Sequence, residues 1–211
     1  MTQPKVSIIV VNYNQKQFTL DCLKSLSKIT YPNYEIIVVN DGSTDDTRDI
    51  VWSYDDERIE LLCLSRNLGQ PAALNIGVRH ISTPWIARMD ADDYSAPTRL
   101  EEQMRVLEAD HSLGCLGTFA WWFRDDPRTI GAIHTKPERH ADIKRALLVG
   151  SPIIHGSIMV SRTALLDVGG YNERYRYSAD LELYDRLLAR SLSANIPKLL
   201  IGLRRHQNQG S

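Results

Sequence analysis

Cysteines and long apolar runs are both scarce in this 211-residue sequence. The three cysteines, Cys22, Cys63 and Cys115, form no CxxC pair, which argues against a disulfide framework or a zinc ribbon and favours buried thiols in a reducing compartment. No apolar run approaches the length of a membrane span, and the N-terminus runs into a strand pattern rather than a signal peptide. We therefore expect a cytoplasmic protein, with attachment to the inner face of a membrane through absent segments as an open alternative.

Net charge and glycine-rich phosphate motifs are also lacking. The formal net charge of -1 argues against a nucleic-acid partner. No GxGxxG follows the first apolar run and no GxxxxGK[ST] occurs, which disfavours a dinucleotide-binding fold and a P-loop NTPase. A phosphate-bearing ligand would therefore need local polar groups or a metal cation.

Apolar strand patterns alternate with helical patterns over the first hundred residues. The predicted strands are "KVSIIVVNYN", "YEIIVVN", "RIELLCLS" and "WIARMD". Helices are predicted in "FTLDCLKSLSKIT", from near Asp45 behind a Ser43 or Thr44 cap, in the later part of "RNLGQPAALNIGVRH", and with Pro97 in the first turn of "PTRLEEQMRVLEAD". This order predicts a doubly wound α/β fold with a mostly parallel sheet.

The pattern is less regular after about residue 112. Strands are predicted in "LGCLGTFAWWFRDD", "HGSIMVSR" and "ANIPKLLIGLRRH", and helices in "HADIKRALLVG" and "SADLELYDRLLARS". With no linker or internal repeat in view, we expect a single domain over residues 1–211, with one half at about 1–112 and the other at about 113–211.

Three carboxylates follow the fourth predicted strand in the stretch "MDADD". Asp90, Asp92 and Asp93 should lie with the other strand-end polar residues, because ligands of open α/β sheets bind beyond the carboxyl ends of the strands. Like charges this close raise one another's pKa unless positive charge lies among them. Mg²⁺ or Mn²⁺ commonly bridges one or two carboxylates to substrate phosphates. A solvated acidic turn and a metal-diphosphate site are the two interpretations, and we favour the second.

Six motifs occur in an order that resembles the family-2 inverting glycosyltransferases of the GT-A fold. They are "VSIIVVNYNQ", "EIIVVNDGSTDDT", "NLGQPAALNIG", "MDADDYSAPTRLE", "GGYNE" and "SADLELYDRL". The resemblance implies a Rossmann-like sheet with a nucleotide-binding half and a smaller acceptor-binding half. It also implies metal-dependent transfer of a sugar, with inversion, from a nucleotide-sugar donor, UDP favoured, to a hydroxyl of a saccharide or lipid-linked acceptor. A non-processive role in cell-surface polysaccharide synthesis and a chain truncated at its C-terminus are the corresponding expectations.

The resemblance also assigns roles to individual residues. Asp41 matches the carboxylate that accepts a hydrogen bond from uracil, and Asp180 matches the catalytic base, although Ala179 replaces the usual preceding Glu. Asp92 matches the metal ligand and Asp90 lies nearer the ribose and the metal. The full prediction gives nucleotide contacts at Val11, Tyr13, Asp41, Gln70, Asp90 and Ala91, Mn²⁺ or Mg²⁺ ligands at Asp90, Asp92 and His206, and catalysis at Asp180.

Other interpretations stay open at this stage. Glu182 and Asp185 lie on the helix predicted for Asp180 and are alternative bases. Asp93 is either a group behind the metal ligands or a charge at a helix N-terminus. A non-catalytic nucleotide-sugar-binding module would keep Asp41 and the carboxylates and could lose the base. A sugar-1-phosphate nucleotidylyltransferase shares the α/β half, but it should open with a glycine-rich basic loop where this chain has "VVNYNQKQ".

Overall fold

A computed structural model describes residues 3–206, and within them nine strands form one sheet. The strand order is β3-β2-β1-β4-β8-β6-β9-β5, with β7 paired to β6. The strands are β1 Val6–Asn12, β2 Tyr34–Asn40, β3 Ile59–Cys63, β4 Trp85–Asp90, β5 Tyr94–Ser95, β6 Leu113–Phe123, β7 Ile133–His134, β8 Met159–Ser161 and β9 Leu192–Arg204. The helices are α1 Lys16–Leu26, α2 Thr47–Trp52, α3 Gln70–His80, α4 Arg99–Ala109, α5 His140–Ala146, α6 Arg162–Asp167 and α7 Ala179–Leu188, with a 3₁₀ turn at His155–Ser157.

The first four strands are parallel, as the sequence predicts. Alternate residues of β1 face opposite layers, because side chains alternate across a strand. Ile8 and Val10 pack in one core with Leu23 of α1, whereas Ile9 packs in a second core with Leu74 of α3. Helices therefore cover both faces of this part of the sheet.

The second half completes the sheet with mixed pairings. Strand β8 is antiparallel to both β4 and β6, and β6 is parallel to β9 over most of its length. Gln103 of α4 links β6 to the 3₁₀ turn that precedes β8. Its buried amide Nε2 donates to the carbonyl of Leu116 at 3.1 Å and to that of Ser157 at 2.9 Å. Among the described residues, no helix has the length and apolar character that crossing a bilayer requires.

Some predicted boundaries and burials differ from the structure. The second helix begins at Thr47 rather than near Asp45, because the Ser43 and Thr44 groups expected to cap it bond to the loop after β1 instead. The helix predicted to include Pro97 begins at Arg99. Helix α6 was not predicted. Cys63 is exposed rather than buried, because β3 is an edge strand, whereas Cys22 and Cys115 are buried as expected.

Gly42 allows the loop after β2 to touch the loop after β3. Its φ is +71°, and a Cβ there would lie 2.3 Å from the backbone carbon of Arg66. Gly69 has a similar φ of +90°, but the nearest atom to its Cβ would be 4.0 Å away. A side chain would therefore be strained in its backbone at both positions, but it would overlap neighbouring atoms only at residue 42.

Replacing Gly42 by Ala should destabilise the protein more than replacing Gly69 by Ala. Left-handed backbone costs about 1–2 kcal/mol at either site, and overpacking adds about 1–3 kcal/mol at residue 42 alone. Urea unfolding of the two variants would measure the difference. Equal losses of unfolding free energy would mean that the two loops separate without cost.

Candidate functional site

The carboxyl ends of β1, β2 and β4 meet at one edge of the sheet. Asn12 pairs with Asn40, and Val11 pairs with Asp90, so the predicted nucleotide residues end level with one another. The Asp41 N–H donates to the carbonyl of Asn12 at 2.8 Å. This edge is where the sequence predicts a ligand.

Tyr13 is an exposed residue between Asn12 and Asn14, whose side chains are both held by hydrogen bonds. Asn12 is buried and bonds Thr19 and Ser43, and the Asn14 side-chain oxygen accepts from the N–H of Thr44 at 2.8 Å. Asn14 adopts a left-handed backbone with φ 54°, which Asn tolerates better than most residues. Tyr13 itself is 46% exposed, and Val11 is partly buried at the strand end. Both are available to pack on a ligand.

Asp41 is a buried anchor for the neighbouring loop. One carboxylate oxygen accepts from the N–H of Leu68 at 2.7 Å and the other from the N–H of Gly69 at 2.9 Å. Each oxygen has a further lone pair, so the pairing with this loop leaves acceptor capacity for a base N–H. The structure thus gives Asp41 a local function that the sequence did not indicate, beside its predicted role in base recognition.

Asp90 is bound by an arginine. The buried Arg88 guanidinium makes a two-pronged salt bridge to both Asp90 oxygens, and Gln70 Nε2 donates to Oδ1 at 3.0 Å. Arg88 and Asp90 lie on the same face because they are two residues apart in β4. The charge of Asp90 is therefore balanced within the protein. Ala91, 2% exposed, packs in the core and can offer only its backbone to a nucleotide.

Asp92 and His206 lie side by side. His206 Nε2 is 2.9 Å from Asp92 Oδ2, and both side chains are nearly buried. Burial and the Asp90 carboxylate raise the pKa of Asp92, outweighing the hydrogen bond from His206. The Phe18 ring packs against the imidazole with centroids 4.6 Å apart. This is the closest association among the predicted metal ligands.

Asp93 lies behind this pair and not at a helix N-terminus. Its Oδ1 accepts from the backbone N–H of Arg204 at 3.0 Å, while Arg204 Nε donates to the carbonyl of Asp92 at 2.9 Å. Burial, followed by the charges of Asp90 and Asp92, raises the pKa of Asp93 well above its usual value. The interpretation as a helix charge is wrong, because α4 begins only at Arg99.

The donor set fits a cation that is shared with a diphosphate. Carboxylate oxygen and imidazole nitrogen suit Mn²⁺, and Mg²⁺ commonly takes one or two carboxylates plus phosphate oxygens. Within residues 3–206 no three His, Cys, Asp or Glu side chains form a group that could hold a metal by themselves. Asp92 and His206 would therefore supply two ligands, and the remaining positions would fall to phosphate and water.

Asp180 lies in the first turn of α7, as predicted. Ser151 Oγ lies 3.2 Å from Asp180 Oδ2 and 2.8 Å from the carbonyl oxygen of Ile153, so its single hydroxyl proton is shared between two acceptors, and the Asp180 carboxylate is partly exposed. The alternative Glu182 is tied to Arg186, whose Nε donates to it at 2.8 Å and which lowers its pKa. Asp185 is exposed further along the helix. Of the three carboxylates, only Glu182 forms an ion pair within the described residues, and Asp180 lies near Lys136, whose pKa is lowered by burial against the raising effect of the Asp180 charge.

An amide joins the two halves beside this helix. Asn75 Nδ2 donates to the carbonyl of Tyr171 at 2.8 Å, and the Tyr171 N–H donates to Asn75 Oδ1 at 2.9 Å. Gly169 and Gly170 have φ of 83° and 71°, and a Cβ on Gly170 would lie 2.7 Å from Asn75 Oδ1. The two glycines therefore form a tight loop that packs directly against Asn75. Tyr171 also bonds His155 Nε2 at 2.9 Å.

Sequence reasoning missed two arginines of the site: Arg88, whose guanidinium pairs with Asp90, and Arg204, whose backbone N–H and Nε bond the acidic turn. Arg88 was detectable in principle, since it precedes Asp90 by two residues in a strand and so shares its face. Arg204 carries no local signal, because its contacts with Asp92 and Asp93 span more than a hundred residues. The two interpretations of the acidic turn, a solvated turn or a metal site, therefore left out a third contribution, the contacts that these arginines make with the turn.

The comparisons with known proteins identify the family. Residues 7–169 match glycosyl transferase family 2. The chain is 33% identical over 219 residues to an uncharacterized glycosyltransferase of Haemophilus influenzae, covering 99% of this chain and 68% of that protein. The fold and the strand-end site define an α/β protein with polar side chains grouped at the carboxyl edge of its sheet. Within that class, the chain belongs to glycosyltransferase family 2, which favours the predicted transferase over a nucleotidylyltransferase.

Solved structures agree on the GT-A fold. Staphylococcus aureus TarS in complex with UDP-GlcNAc superimposes with a TM-score of 0.82 at 20% identity, over 97% of this chain and 60% of that one. The mannosyltransferase PcManGT of Pyrobaculum calidifontis, in complex with GDP-Man and Mn²⁺, gives 0.75 at 21% identity, over 99% of this chain and 59% of that one. The chain thus spans about 60% of the length of these two structures.

Removing the Asp41 carboxylate should destabilise the protein as well as affect ligand binding. Asp41→Ala leaves two N–H groups of the loop after β3 without their charged acceptor, and each such hydrogen bond contributes about 1.5–3 kcal/mol. We expect a loss of about 3 kcal/mol in the free energy of unfolding, measured by urea denaturation. Asp41→Asn, which keeps one acceptor oxygen, should lose less. Wild-type stability in Asp41→Ala would contradict the anchoring role.

Proposed function

We propose that this protein is a metal-dependent inverting glycosyltransferase that uses a UDP-sugar. The acceptor is a hydroxyl of a saccharide or lipid-linked molecule, in the synthesis of cell-surface polysaccharide on the cytoplasmic side of a membrane. The observation that carries the proposal is the Asp92–His206 pair at the carboxyl edge of the sheet, with Asp180 held separately on α7. It provides one site for a metal diphosphate and one for proton removal.

The donor would lie over the ends of β1, β2 and β4. Val11 and Tyr13 would pack against the base and ribose, and Asp41 would accept a hydrogen bond from the base N–H. Asp90, held by Arg88, and Gln70 would contact the ribose, with the Ala91 backbone close by. The complexes of TarS with UDP-GlcNAc and of PcManGT with GDP-Man support a nucleotide-sugar donor. UDP is proposed because a uracil N–H can donate to the acceptor-only Asp41 and because TarS binds UDP-GlcNAc.

Asp92 and His206 would hold the cation, with Asp90 contributing only if it leaves Arg88. The Mn²⁺ in the PcManGT complex supports a divalent ion. Such an ion would neutralise charge on the departing diphosphate. Arg204 would keep the Asp92 backbone fixed during this process, because its guanidinium bonds the Asp92 carbonyl.

Asp180 would act as the general base. The acceptor oxygen forms a bond to the anomeric carbon while the carbon–oxygen bond to the diphosphate breaks, and UDP leaves from the opposite face. The hydroxyl proton passes to Asp180, since inversion by direct displacement needs a base on the acceptor side. The Ser151 hydroxyl lies 3.2 Å from this carboxylate. Glu182 is less suited because Arg186 occupies it.

The metal assignment predicts that UDP and the cation stabilise the protein together. At a UDP concentration about a hundredfold above Kd, binding should raise the free energy of unfolding by about 2.7 kcal/mol when Mn²⁺ is present. Mn²⁺ alone should add little, since the protein supplies only two ligands. Asp92→Asn should remove the metal-dependent part, whereas Asp55→Asn, an exposed control, should not. Equal stabilisation by UDP in chelator would refute the metal role.

The base assignment predicts a selective loss of transfer. Asp180→Asn keeps the shape of the side chain and cannot take the proton, so turnover should fall by about 10²–10⁴-fold. UDP affinity should stay at the wild-type value, and Asp185→Asn on the same helix should transfer normally. UDP release from UDP-sugars with Mn²⁺ measures the rate and calorimetry measures the affinity. Full activity of Asp180→Asn, or inactivity of Asp185→Asn, would move the base elsewhere on α7.

A further inference from the structure

The turn after α5 displays two adjacent aliphatic side chains. Leu148 is 86% exposed and Val149 is 90% exposed, more than any other large hydrophobic side chain in the part of the chain that the structure describes. We call these two residues the apolar tip. A single exposed aliphatic residue is ordinary, but adjacent ones at this exposure indicate a surface that meets an apolar partner.

The apolar tip belongs to an ordered turn. The Leu148 N–H donates to the carbonyl of Arg145 at 3.2 Å, and the N–H groups of Val149 and Gly150 both donate to Ala146 at 3.1 Å. Leu147, just before the tip, packs against the buried core. The backbone is therefore fixed by the end of α5, and it holds the two side chains away from the protein.

Aromatic side chains extend this surface. Tyr175 is 47% exposed and Tyr177 is 73% exposed in the segment that leads into α7. A cavity of about 620 Å³ lies between this segment and the tip. Leu148 and Val149 line it together with Leu147, Tyr175 and Leu181, and Glu182 and Asp185 line it as well. Tyrosine is favoured where an apolar phase meets water, because its ring is apolar and its hydroxyl is polar.

Basic side chains flank the tip and the tyrosines. Residues 140–150 and 172–178 carry four Lys or Arg against two acidic side chains, in a chain whose net charge is -1. The four are exposed: Lys144, Arg145, Arg174 and Arg176. Asp142 pairs with Arg145, Glu173 accepts from Asn75 and Glu182 pairs with Arg186, so at this surface the exposed Lys144, Arg174 and Arg176 outnumber the exposed Asp185. This combination of apolar tip, tyrosines and basic rim matches an anionic lipid surface.

We propose that the apolar tip inserts into the interface of an anionic lipid bilayer, with the basic side chains on the headgroup phosphates. A contact between two copies is disfavoured, because a symmetric interface would bring the basic rims together. The proposed glycosyltransferase function explains why the protein would bind a bilayer, but the evidence for the contact itself does not depend on that function. The hydroxyl of Ser151, two residues after the tip, lies 3.2 Å from Asp180 Oδ2, so a lipid-linked hydroxyl held at the bilayer would be near the base.

Cosedimentation of the 211-residue chain with lipid vesicles tests the proposal. The wild type should bind vesicles of phosphatidylcholine and phosphatidylglycerol, and binding should weaken in high salt or with phosphatidylcholine alone. The double variant Leu148→Ser/Val149→Ser should partition at least about tenfold less, since each aliphatic side chain loses apolar burial. The double variant Lys144→Glu/Arg176→Glu should bind the anionic vesicles more weakly, with the partition coefficient falling at least about fivefold for each of the two basic residues replaced. Val149→Trp should bind more tightly than the wild type, because Trp favours the interface.

Matched variants in the first half control for general effects. Trp52→Ser removes a side chain that is 67% exposed on α2, and Lys28→Glu reverses an exposed charge after α1. Both should bind vesicles like the wild type. Equal loss in Trp52→Ser, or no vesicle binding by the wild type, would overturn the proposal. So would wild-type self-association that disappears in the tip variant without vesicles. UDP binding by the tip variant is a separate readout, and its retention would leave the glycosyltransferase proposal standing whatever the vesicles do.

Discussion

Two buried arginines, Arg88 and Arg204, hold the acidic turn at the end of β4 in place, and the site depends on these contacts. Removing a charge from water is costly unless partners replace the hydration, and Asp92 and Asp93 are almost entirely buried. Arg88 pairs with the Asp90 carboxylate from within the same strand. Arg204, at the end of β9, donates from its backbone N–H to Asp93 and from Nε to the main-chain carbonyl of Asp92, while its guanidinium pairs with Asp21 at 3.2 Å. Phe18 and Phe123 lie against the Arg204 guanidinium at 4.9 and 4.8 Å, which keeps it in place.

These contacts also link the last strand to the first half of the chain. His206 follows Arg204 by two residues, so the contacts that fix Arg204 also bring the imidazole to Asp92. The order of β6, β9 and β5 in the sheet therefore matters for the site, although the strand-end polar residues come from β1, β2 and β4. The three carboxylates have different neighbours. Asp90 pairs with the Arg88 guanidinium, Asp92 lies beside the His206 imidazole, and Asp93 is buried behind them.

Local patterns predicted much of this fold. The β-branched runs of β1 and β2 and the helical spacing of Cys22, Leu23 and Leu26 depend on short-range periodicity, and the structure confirms them. The polar residues at the strand ends could also be predicted, because the α/β order implies where they meet. Ser43 and Thr44 were misassigned as caps, since their partners Asn12 and Asn14 are about thirty residues away.

Long-range contacts decided what could not be predicted. In the sequence, Asp41 cannot be told from an ordinary turn residue. Only the structure, in which the loop after β3 lies against it, shows that Asp41 accepts hydrogen bonds from the N–H groups of Leu68 and Gly69. Arg204 reads as an ordinary basic residue after an apolar strand. The family resemblance supplied the roles of Asp180 and His206, and both lie beyond the stretch that matches the family, residues 7–169. Those roles are proposals for that reason.

The amide of Asn75 has a mechanical consequence. It donates to and accepts from the backbone of Tyr171, as one peptide group does with another across a pair of strands. Helix α3 and the glycine loop are therefore coupled like two adjacent strands, although they come from opposite halves of the chain. Separating α3 from the glycine loop would break both hydrogen bonds, and a side chain at residue 170 would not fit against Asn75. This seam therefore fixes the glycine loop, and the start of the segment that leads to Asp180, against the first half of the chain.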